Sequence, residues 1–278
     1  MKVQALLVPY DSGHRDERFG RGPDHLLRHG LASTLRALGH DVKAEYVETD
    51  APFPTEIATT FALHARLSER VRAAVDAGRF PLVLSGNCGS AIGTAAGVGT
   101  GGLGVVWLDA HGDLNTPETS ASGFLDGMCL ATLAGRCWRG PAARIPGFTP
   151  VAEQRIVLAA RDLDPGEREL LQTSLITHLS TEAIRTGALR EAVERLARDS
   201  ERIYLHLDLD VLDTSVGRAN SYAVPGGLTA AELADAVATV AATGRLAALG
   251  VASYDPTCDE NGAVFRAAVA ALESLPLA

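Results

Sequence analysis

Short apolar stretches alternate with helix-like stretches along the whole chain. The apolar stretches are rich in β-branched and aliphatic residues, which is typical of strands. They are Val3–Val8, Val42–Val47, Pro81–Leu84, Leu103–Leu108, Arg155–Ala160, Leu175–His178, Ile203–Leu209 and Leu246–Val251. Most of the intervening stretches have the apolar spacing of amphipathic helices. The predicted helices are Pro23–Leu38, Glu56–Ala77, Thr181–Arg198, Thr229–Ala242 and Gly262–Ser274.

This alternation predicts an α/β fold. Runs such as Leu82-Val83-Leu84 are apolar on both faces, which suits parallel strands covered by helices on each side. Eight strands with crossover helices predict a single three-layer α/β/α domain over residues 1–278, with a central, mostly parallel sheet of about eight strands. Thr181 and Thr229 are predicted helix N-caps, and Thr229-x-x-Glu232 has the spacing of a capping box.

Composition narrows the class of protein. With 46% hydrophobic residues, the 278-residue chain can bury a full core, and a net charge of -9 argues against a nucleic-acid-binding face. The sequence has no apolar run long enough to span a membrane. The four cysteines lack Cys-x-x-Cys spacing and are sparse for a disulfide scaffold, so a reducing cytoplasm is the expected location.

Polar side chains follow three of the predicted strands, where parallel sheets bind their ligands. After the strand that ends at Leu108, Asp109, His111 and Asp113 stand at alternate positions. Alternation directs all three side chains the same way if the chain stays extended. Carboxylates and imidazoles are ligands that Mn²⁺ prefers. We therefore interpret this segment as a candidate metal site rather than as an ordinary polar loop.

The second segment places His206, Asp208 and Asp210 at alternate positions among aliphatic residues. Burying two carboxylates side by side without a cation would be very costly, so a metal is expected there unless the strand end is exposed. His206 lies deeper in the strand, and for it we expect a satisfied structural role. Asp213 is expected to be a turn residue.

The third segment, Leu84 to Ser90, contains Cys88 and precedes a predicted helix start at Ala91-Ile92-Gly93. A lone cysteine is usually a small buried hydrophobe, and by itself Cys88 would be assigned that role.

Together the three segments resemble the ureohydrolase family, which includes arginases, agmatinases and formiminoglutamases. The family's motifs are Gly-Gly-Asp-His-Ser, then Asp-Ala-His-x-Asp-x-Asn, then Asp-x-Asp, usually preceded by Ser-Phe or a similar pair. The second and third match closely at residues 109–115 and 208–210, and the resemblance extends over nearly the whole chain. It implies an arginase-like fold, a small guanidino or amidine substrate, and a homo-oligomer, either a trimer or a hexamer.

The resemblance also implies two divalent metal ions, with Mn²⁺ as the expected metal. Their ligands would be Cys88, Asp109, His111, Asp113, Asp208 and Asp210, with Asp109 and Asp208 bridging the two ions. A water activated by such a pair attacks the electrophilic carbon of a guanidinium or amidine group, and a C–N bond is broken. His111 and Asp126 are the predicted catalytic residues.

Several positions depart from the family pattern. Ungapped alignment of the first motif places Cys88 at the position of its His, and arginase-like hydroxyarginine hydrolases also look as though they have a Cys there. Thiolate is a softer donor than imidazole, which should weaken the preference for Mn²⁺. Asp126 stands where arginases and agmatinases have a proton-shuttling His. Ser253 stands where their last motif has the Glu that pairs with guanidinium.

These departures leave the substrate open. Loss of the charge-assisted Glu contact puts plain arginine in doubt. Asp126 or Asp255 could replace the missing charge, or the substrate could be less basic, such as hydroxyarginine or a formimino compound. Asn115 and Ser122 match positions that contact the α-carboxylate in arginases, so both, with Asp126, Ser253 and Asp255, are the predicted substrate-binding residues.

Two other functions are compatible with parts of the sequence. A non-catalytic relative that binds metal or ligand is motivated by the lost His and Glu, although the retained Asp/His set argues against it. A zinc deacetylase would require paired histidines, and the sequence has no His-His pair.

Overall fold

Eight strands form the central sheet of the computed structural model, which describes residues 1–49 and 55–275. In chain order they are β1 Lys2–Val8, β2 Asp41–Tyr46, β3 Phe80–Ser85, β4 Leu103–Leu108, β5 Ile156–Ala159, β6 Thr177–Leu179, β7 Arg202–Asp208 and β8 Leu246–Ala252. Their order across the sheet is β2-β1-β3-β8-β7-β4-β5-β6, and every neighbouring pair is parallel. The predicted fold class is therefore confirmed. Residues 50–54 and 276–278, which the predicted domain includes, lie outside the described residues.

Helices cover both faces of this sheet and complete the three layers. One face packs against Gly22–Leu26, the π-helical turn Leu27–Leu31, Ala32–Ala37, Ala188–Asp199, Ala230–Ala241 and Ala263–Leu272. The other face packs against Glu56–Asp76, Ser90–Val98 and Cys129–Leu133. Shorter helices are Arg139–Ala142, Pro165–Thr173 and Thr181–Arg185, with 3₁₀ turns at Arg18–Arg21, Asp126–Met128, Glu153–Arg155 and Leu209–Val211. A small hairpin pairs Tyr10–Asp11 with His14–Arg15.

Two of the predicted helices are wrong in their continuity. The stretch 23–38 is divided by the π-helical turn around Gly30, and the stretch 181–198 is divided at Gly187, whose φ of 94° suits glycine. Ser180, rather than Thr181, is the N-cap, because its hydroxyl accepts a hydrogen bond from Ala183 N at 3.2 Å. The capping box of Thr229 and Glu232 is confirmed.

The helix Ser90–Val98 packs unusually closely on Glu56–Asp76. A Cβ atom added at Gly93 would lie 2.6 Å from the backbone oxygen of His64, and one at Gly97 would lie 2.6 Å from that of Ser68. Only glycine permits this approach, since such short contacts involve backbone that cannot swing away. This packing fixes the position of the loop 86–89, which connects β3 to the helix.

The four central strands end at the same edge of the sheet. These strands, β3, β8, β7 and β4, are neighbours, so the segments that follow them meet at one place. The side chains they bring together are Cys88, Ser253, Asp208, Asp210 and Asp109. Ligands bind at this edge in open parallel sheets. Within the part of the chain that the structure describes, no helix is both long and apolar enough to cross a membrane.

Candidate metal centre and its cavity

Asp109 lies buried directly after β4, and neighbouring donors orient its carboxylate. The indole N–H of Trp107 donates to Oδ2 at 3.1 Å, and the backbone N–H of His111 donates to Oδ1 at 2.7 Å. Only 2% of Asp109 is exposed. Burial first, and then the charge of Asp210, raises the pKa of Asp109 to about 6.

Asp208 and Asp210 end β7 and lie beside Asp109. The backbone N–H of Asp210 donates to Asp208 Oδ1 at 2.8 Å, and that of Ala110 donates to Asp210 Oδ1 at 3.1 Å. The amide of Asn220 donates to Asp210 Oδ2 at 3.2 Å. Both aspartates are buried, so the end of β7 is not exposed. Without a cation, burying these two carboxylates side by side would carry the large free-energy cost expected from the sequence.

The imidazole of His111 lies between two of these carboxylates. Its Nδ1 is 3.4 Å from Asp109 Oδ1 and 3.4 Å from Asp210 Oδ2. Although burial opposes protonation, the contacts with these two carboxylates raise the pKa of His111 to about 12. The same imidazole holds the pKa of Asp210 below its usual range, although burial opposes this. In the absence of metal, His111 is thus the cation that offsets part of the carboxylate charge.

Cys88 lies against Asp208 at the floor of the site. Its thiol donates to Asp208 Oδ2 at 2.9 Å and lies 3.2 Å from the hydroxyl of Ser253. Burial, followed by the negative charge of Asp208, raises the pKa of the Cys88 thiol well above its ordinary value. The structure therefore brings Cys88 to the aspartates, rather than leaving it as an isolated filler of the core.

Asp113 lies next to this group in a strained backbone conformation. Its φ is 51°, and its Oδ2 accepts a hydrogen bond from the thiol of Cys129 at 3.1 Å. Burial and the charge of Asp109 raise the pKa of Asp113 well above its usual value. Ser253 also has a positive φ, of 61°. Strain of this kind at non-glycine residues is concentrated at functional sites.

The donor set fits divalent metal ions. Two groups of side chains place one ligand atom each within 4.8 Å of all the others, namely Cys88, Asp109 and His206, and Asp109, His111 and Asp210. Burial and neighbouring carboxylates also raise the pKa of Asp208 well above its usual range. Clustered buried carboxylates that resist ionisation are relieved by a bound cation.

Asp126 holds the loop that carries Cys88. Its Oδ1 accepts from Gly89 N at 2.8 Å, and its Oδ2 accepts from Cys88 N at 3.1 Å and from the amide of Asn87 at 2.9 Å. Burial raises the pKa of Asp126 to about 7, although these three hydrogen bonds oppose the shift. Asp126 therefore positions the loop 86–89, which carries Cys88. A role for Asp126 as proton shuttle or substrate ligand stays a prediction.

Asp126→Asn is expected to lower stability by about 1–3 kcal/mol, because one oxygen that accepts N–H bonds becomes an NH₂ group facing a donor. Metal affinity should fall with it, since the Cys88 loop moves. Thermal unfolding and the pH–rate profile measure both effects. Asp162→Asn, which changes another carboxylate of the same cavity, is the matched control. Full stability together with loss of the basic limb of the profile would instead support a proton shuttle.

A cavity of about 170 Å³ opens above these residues. Of the described residues that line it, seven are carboxylates and none is Lys or Arg: Asp113, Asp126, Asp162, Asp164, Glu167, Asp208 and Asp210. Three aromatic side chains also line it, with Tyr222 stacked on Phe124 and edge-on to Phe19. Such a cavity suits a small cation with a less polar body.

The predicted substrate-binding residues are only partly brought to this cavity. Asn115, Ser122, Asp126 and Ser253 line it. Asp255 does not, because its carboxylate accepts from the backbone N–H of Thr257 at 2.9 Å and from its hydroxyl at 2.7 Å. The structure thus gives no support to Asp255 as a replacement for the missing guanidinium-binding charge. Asp213 is a turn residue as expected, with its carboxylate bonded to Gly226 N and Gly227 N.

Several residues of the cavity were missed by the sequence interpretation. Glu167 is buried and accepts from Leu114 N at 2.9 Å, which holds the segment after Asp113. The capping box of Asp164 and Glu167 ahead of Pro165–Thr173 could have revealed it. Asn220 and Tyr222 lie in a loop with no periodic pattern, so no local signal identifies them.

Comparison with known proteins identifies relatives over the full length of the chain. The family model described as "Arginase family" matches residues 1–277. The arginase of Bacillus caldovelox is 34% identical over 295 residues, covering 98% of this chain and 97% of that protein. The solved structures of Bacillus caldovelox and Bacillus cereus arginases each superpose with a TM-score of 0.88, at 31% and 29% identity, and cover 99% of this chain and 98% of theirs.

The match extends across the sheet, the helices and all three motif segments, and the family is the one that the sequence motifs resemble. This chain therefore belongs to the arginase family and is a metal-dependent hydrolase of C–N bonds of the ureohydrolase kind.

Proposed function

We propose that this protein uses two divalent metal ions, with Mn²⁺ as the expected metal, to hydrolyse a C–N bond in a small guanidino or amidine compound that is less basic than arginine. The observation that carries the proposal is the convergence of Asp109, His111, Asp208 and Asp210 beneath a cavity lined by carboxylates. An oligomeric assembly remains a prediction by resemblance.

The residues of the site would have different roles in metal binding and in orienting the ligands. Cys88, Asp109, His111, Asp113, Asp208 and Asp210 would hold the ions. When bound, a metal pair makes a water more acidic and polarises the substrate, which supplies a nucleophile near neutral pH. The hydrogen bonds from Trp107 and Ala110 fix the carboxylates of Asp109 and Asp210 before any ion binds. Such preorganisation spares the protein a rearrangement during the reaction.

The substrate preference follows from what lies near Cys88. Ser253, at the position of the family's guanidinium-binding Glu, offers a hydroxyl and no charge, and its hydroxyl already contacts the Cys88 sulfur. Asp255 does not line the cavity and accepts hydrogen bonds from Thr257, and Asp126 accepts hydrogen bonds from the Cys88 loop. At the position of Ser253, a fully charged guanidinium would therefore lack the charge-assisted partner that the family's Glu provides, which is worth about 1.5–3 kcal/mol. An N-hydroxyguanidine or a formimino group is less basic, so it loses less binding free energy when that partner is missing.

A panel of substrates tests this proposal. The metal-loaded protein is expected to act on N-hydroxyarginine or a formimino amino acid with a kcat/KM at least about 10-fold above that for arginine, equivalent to about 1.4 kcal/mol. Release of hydroxyurea, urea or formamide is the readout. Ser253→Glu is the matched variant and should shift the preference toward arginine.

Arginine as the best substrate by kcat/KM would overturn the substrate assignment. Turnover of no compound by protein that holds two ions would favour the non-catalytic relative considered above.

A further inference from the structure

Two groups of side chains described above could each hold a metal ion. His206 is the one residue in them that the family motifs do not assign as a metal ligand. We expected it to be a satisfied structural residue. Instead, only 1% of it is exposed, and its Nε2 has no hydrogen-bond partner. Leaving a buried imidazole nitrogen unpaired is costly, so its retention calls for an explanation.

Contacts with Trp107 and Tyr204 fix the orientation of the His206 ring beside the candidate metal site. In the register of the sheet, His206 is the neighbour of Trp107, and the two rings stack with centroids 3.7 Å apart. On the other side of the imidazole, Nδ1 lies 3.1 Å from the hydroxyl of Tyr204. The ring is thus held on two sides. A ligand atom of His206 lies within 4.8 Å of the Cys88 sulfur and of an Asp109 carboxylate oxygen.

These contacts are those of a metal-ligating histidine. Such histidines usually donate the N–H of one ring nitrogen to a fixed partner, which leaves the lone pair of the other nitrogen for the metal. The Tyr204 hydroxyl can accept from Nδ1–H, so that Nε2 presents its lone pair.

We propose that His206 ligates the same ion as Cys88 and Asp109, so that the imidazole missing at position 88 is supplied from β7. This rests on the proposed two-metal function and extends its ligand set. The sulfur and nitrogen donors would make this ion site softer than the Asp109, His111 and Asp210 site. It should therefore prefer Zn²⁺, Co²⁺ or Fe²⁺ over Mn²⁺ more strongly than its neighbour does.

The test compares metal binding in two variants that each remove a buried imidazole. His206→Ser should bind one Co²⁺ tightly and the second more weakly, by more than the roughly 10- to 100-fold that follows from removing a partner of a ligand. The matched control is His64→Ser, because His64 is also buried, has an unpaired Nδ1 and lies outside both groups. It should keep two ions. Mass-spectrometric metal counts and calorimetric titration give both quantities.

Unchanged affinity for two ions in His206→Ser would overturn the proposal.

If either serine variant fails to fold, the wild-type protein provides a second test of whether His206 is a metal ligand. Loaded with Co²⁺, it should show two exchangeable, paramagnetically shifted imidazole N–H signals, from His111 and His206, and a thiolate-to-cobalt charge-transfer band. A single such N–H signal would refute ligation by His206. These readouts do not involve turnover, so absence of hydrolysis would refute the proposed function without touching this assignment.

Discussion

Asp208→Asn is expected to abolish tight binding of both ions and all hydrolysis, while making the metal-free protein more stable. Asp208 is buried, and burial together with the charges of Asp210 and Asp109 raises its pKa well above the usual value. The amide has the same size, and its oxygen can still accept from Asp210 N. Folding would no longer bury a carboxylate among others, which should raise the stability of the metal-free protein.

Metal counts, turnover and unfolding in a chelator measure the three effects. Asp109→Asn should behave in the same way, because that carboxylate is also predicted to bridge both ions. The matched control is Asp213→Asn, on the same segment but bonded to Gly226 N and Gly227 N outside the site. It should keep both ions and gain no stability. Two tightly held ions in Asp208→Asn would refute the bridging assignment.

The metal-free protein is expected to lose stability as the pH rises above about 6.5, whereas the metal-loaded protein does not. His111, with its pKa raised to about 12, holds a proton in the folded state that the unfolded chain releases near pH 6.5. Its contribution is therefore complete below about pH 6.5 and declines above it, by about 1.4 kcal/mol per pH unit. The raised pKa values of Asp113 and Asp208 act in the same direction.

Below about pH 6.5 the trend is different. The pKa values of His25, His40, His64 and His206 are lowered, first of all by burial, so acid protonates them in the unfolded chain and removes stability. This opposes the gain from Asp109 and Asp126, whose raised pKa values favour the folded state as the pH falls. The window for observing the loss of stability therefore lies above about pH 6.5.

Thermal unfolding at several pH values, with and without metal, tests this expectation. Bound ions require ionised carboxylates and a neutral His111, so metal affinity rises with pH. The difference in Tm between loaded and metal-free protein should accordingly widen across the window. A constant difference would show that His111 and the aspartates do not take up protons when the metals leave. His111→Asn in the metal-free form should flatten the slope.

Local pattern was enough to predict the sheet and the chemistry of its edge. Every predicted strand is present to within two residues at either end, because an apolar run between polar turns has few other ways to bury itself. The alternation of Asp109, His111 and Asp113, and of His206, Asp208 and Asp210, identified the two segments before their meeting was known. Parallel strands end at one edge, so their convergence could also be expected.

The same pattern did not predict where two of the helices are interrupted. The breaks at Gly30 and Gly187 depend on which packing the neighbouring strands permit, since a glycine inside an apolar period is compatible with a helix or with its end.

The tertiary structure decided the roles within the site, because they depend on contacts between residues far apart in the chain. Asp126 is tied to the Cys88 loop 38 residues away, and Asp255 is withdrawn into its own turn. Nothing local shows which of two aspartates faces a cavity. The stacking of His206 on Trp107 of β4 and its position beside Cys88 likewise depend on how the strands pack. The sequence by itself thus determined which groups are available, and the packing of β3, β8, β7 and β4 determined which atoms face one another.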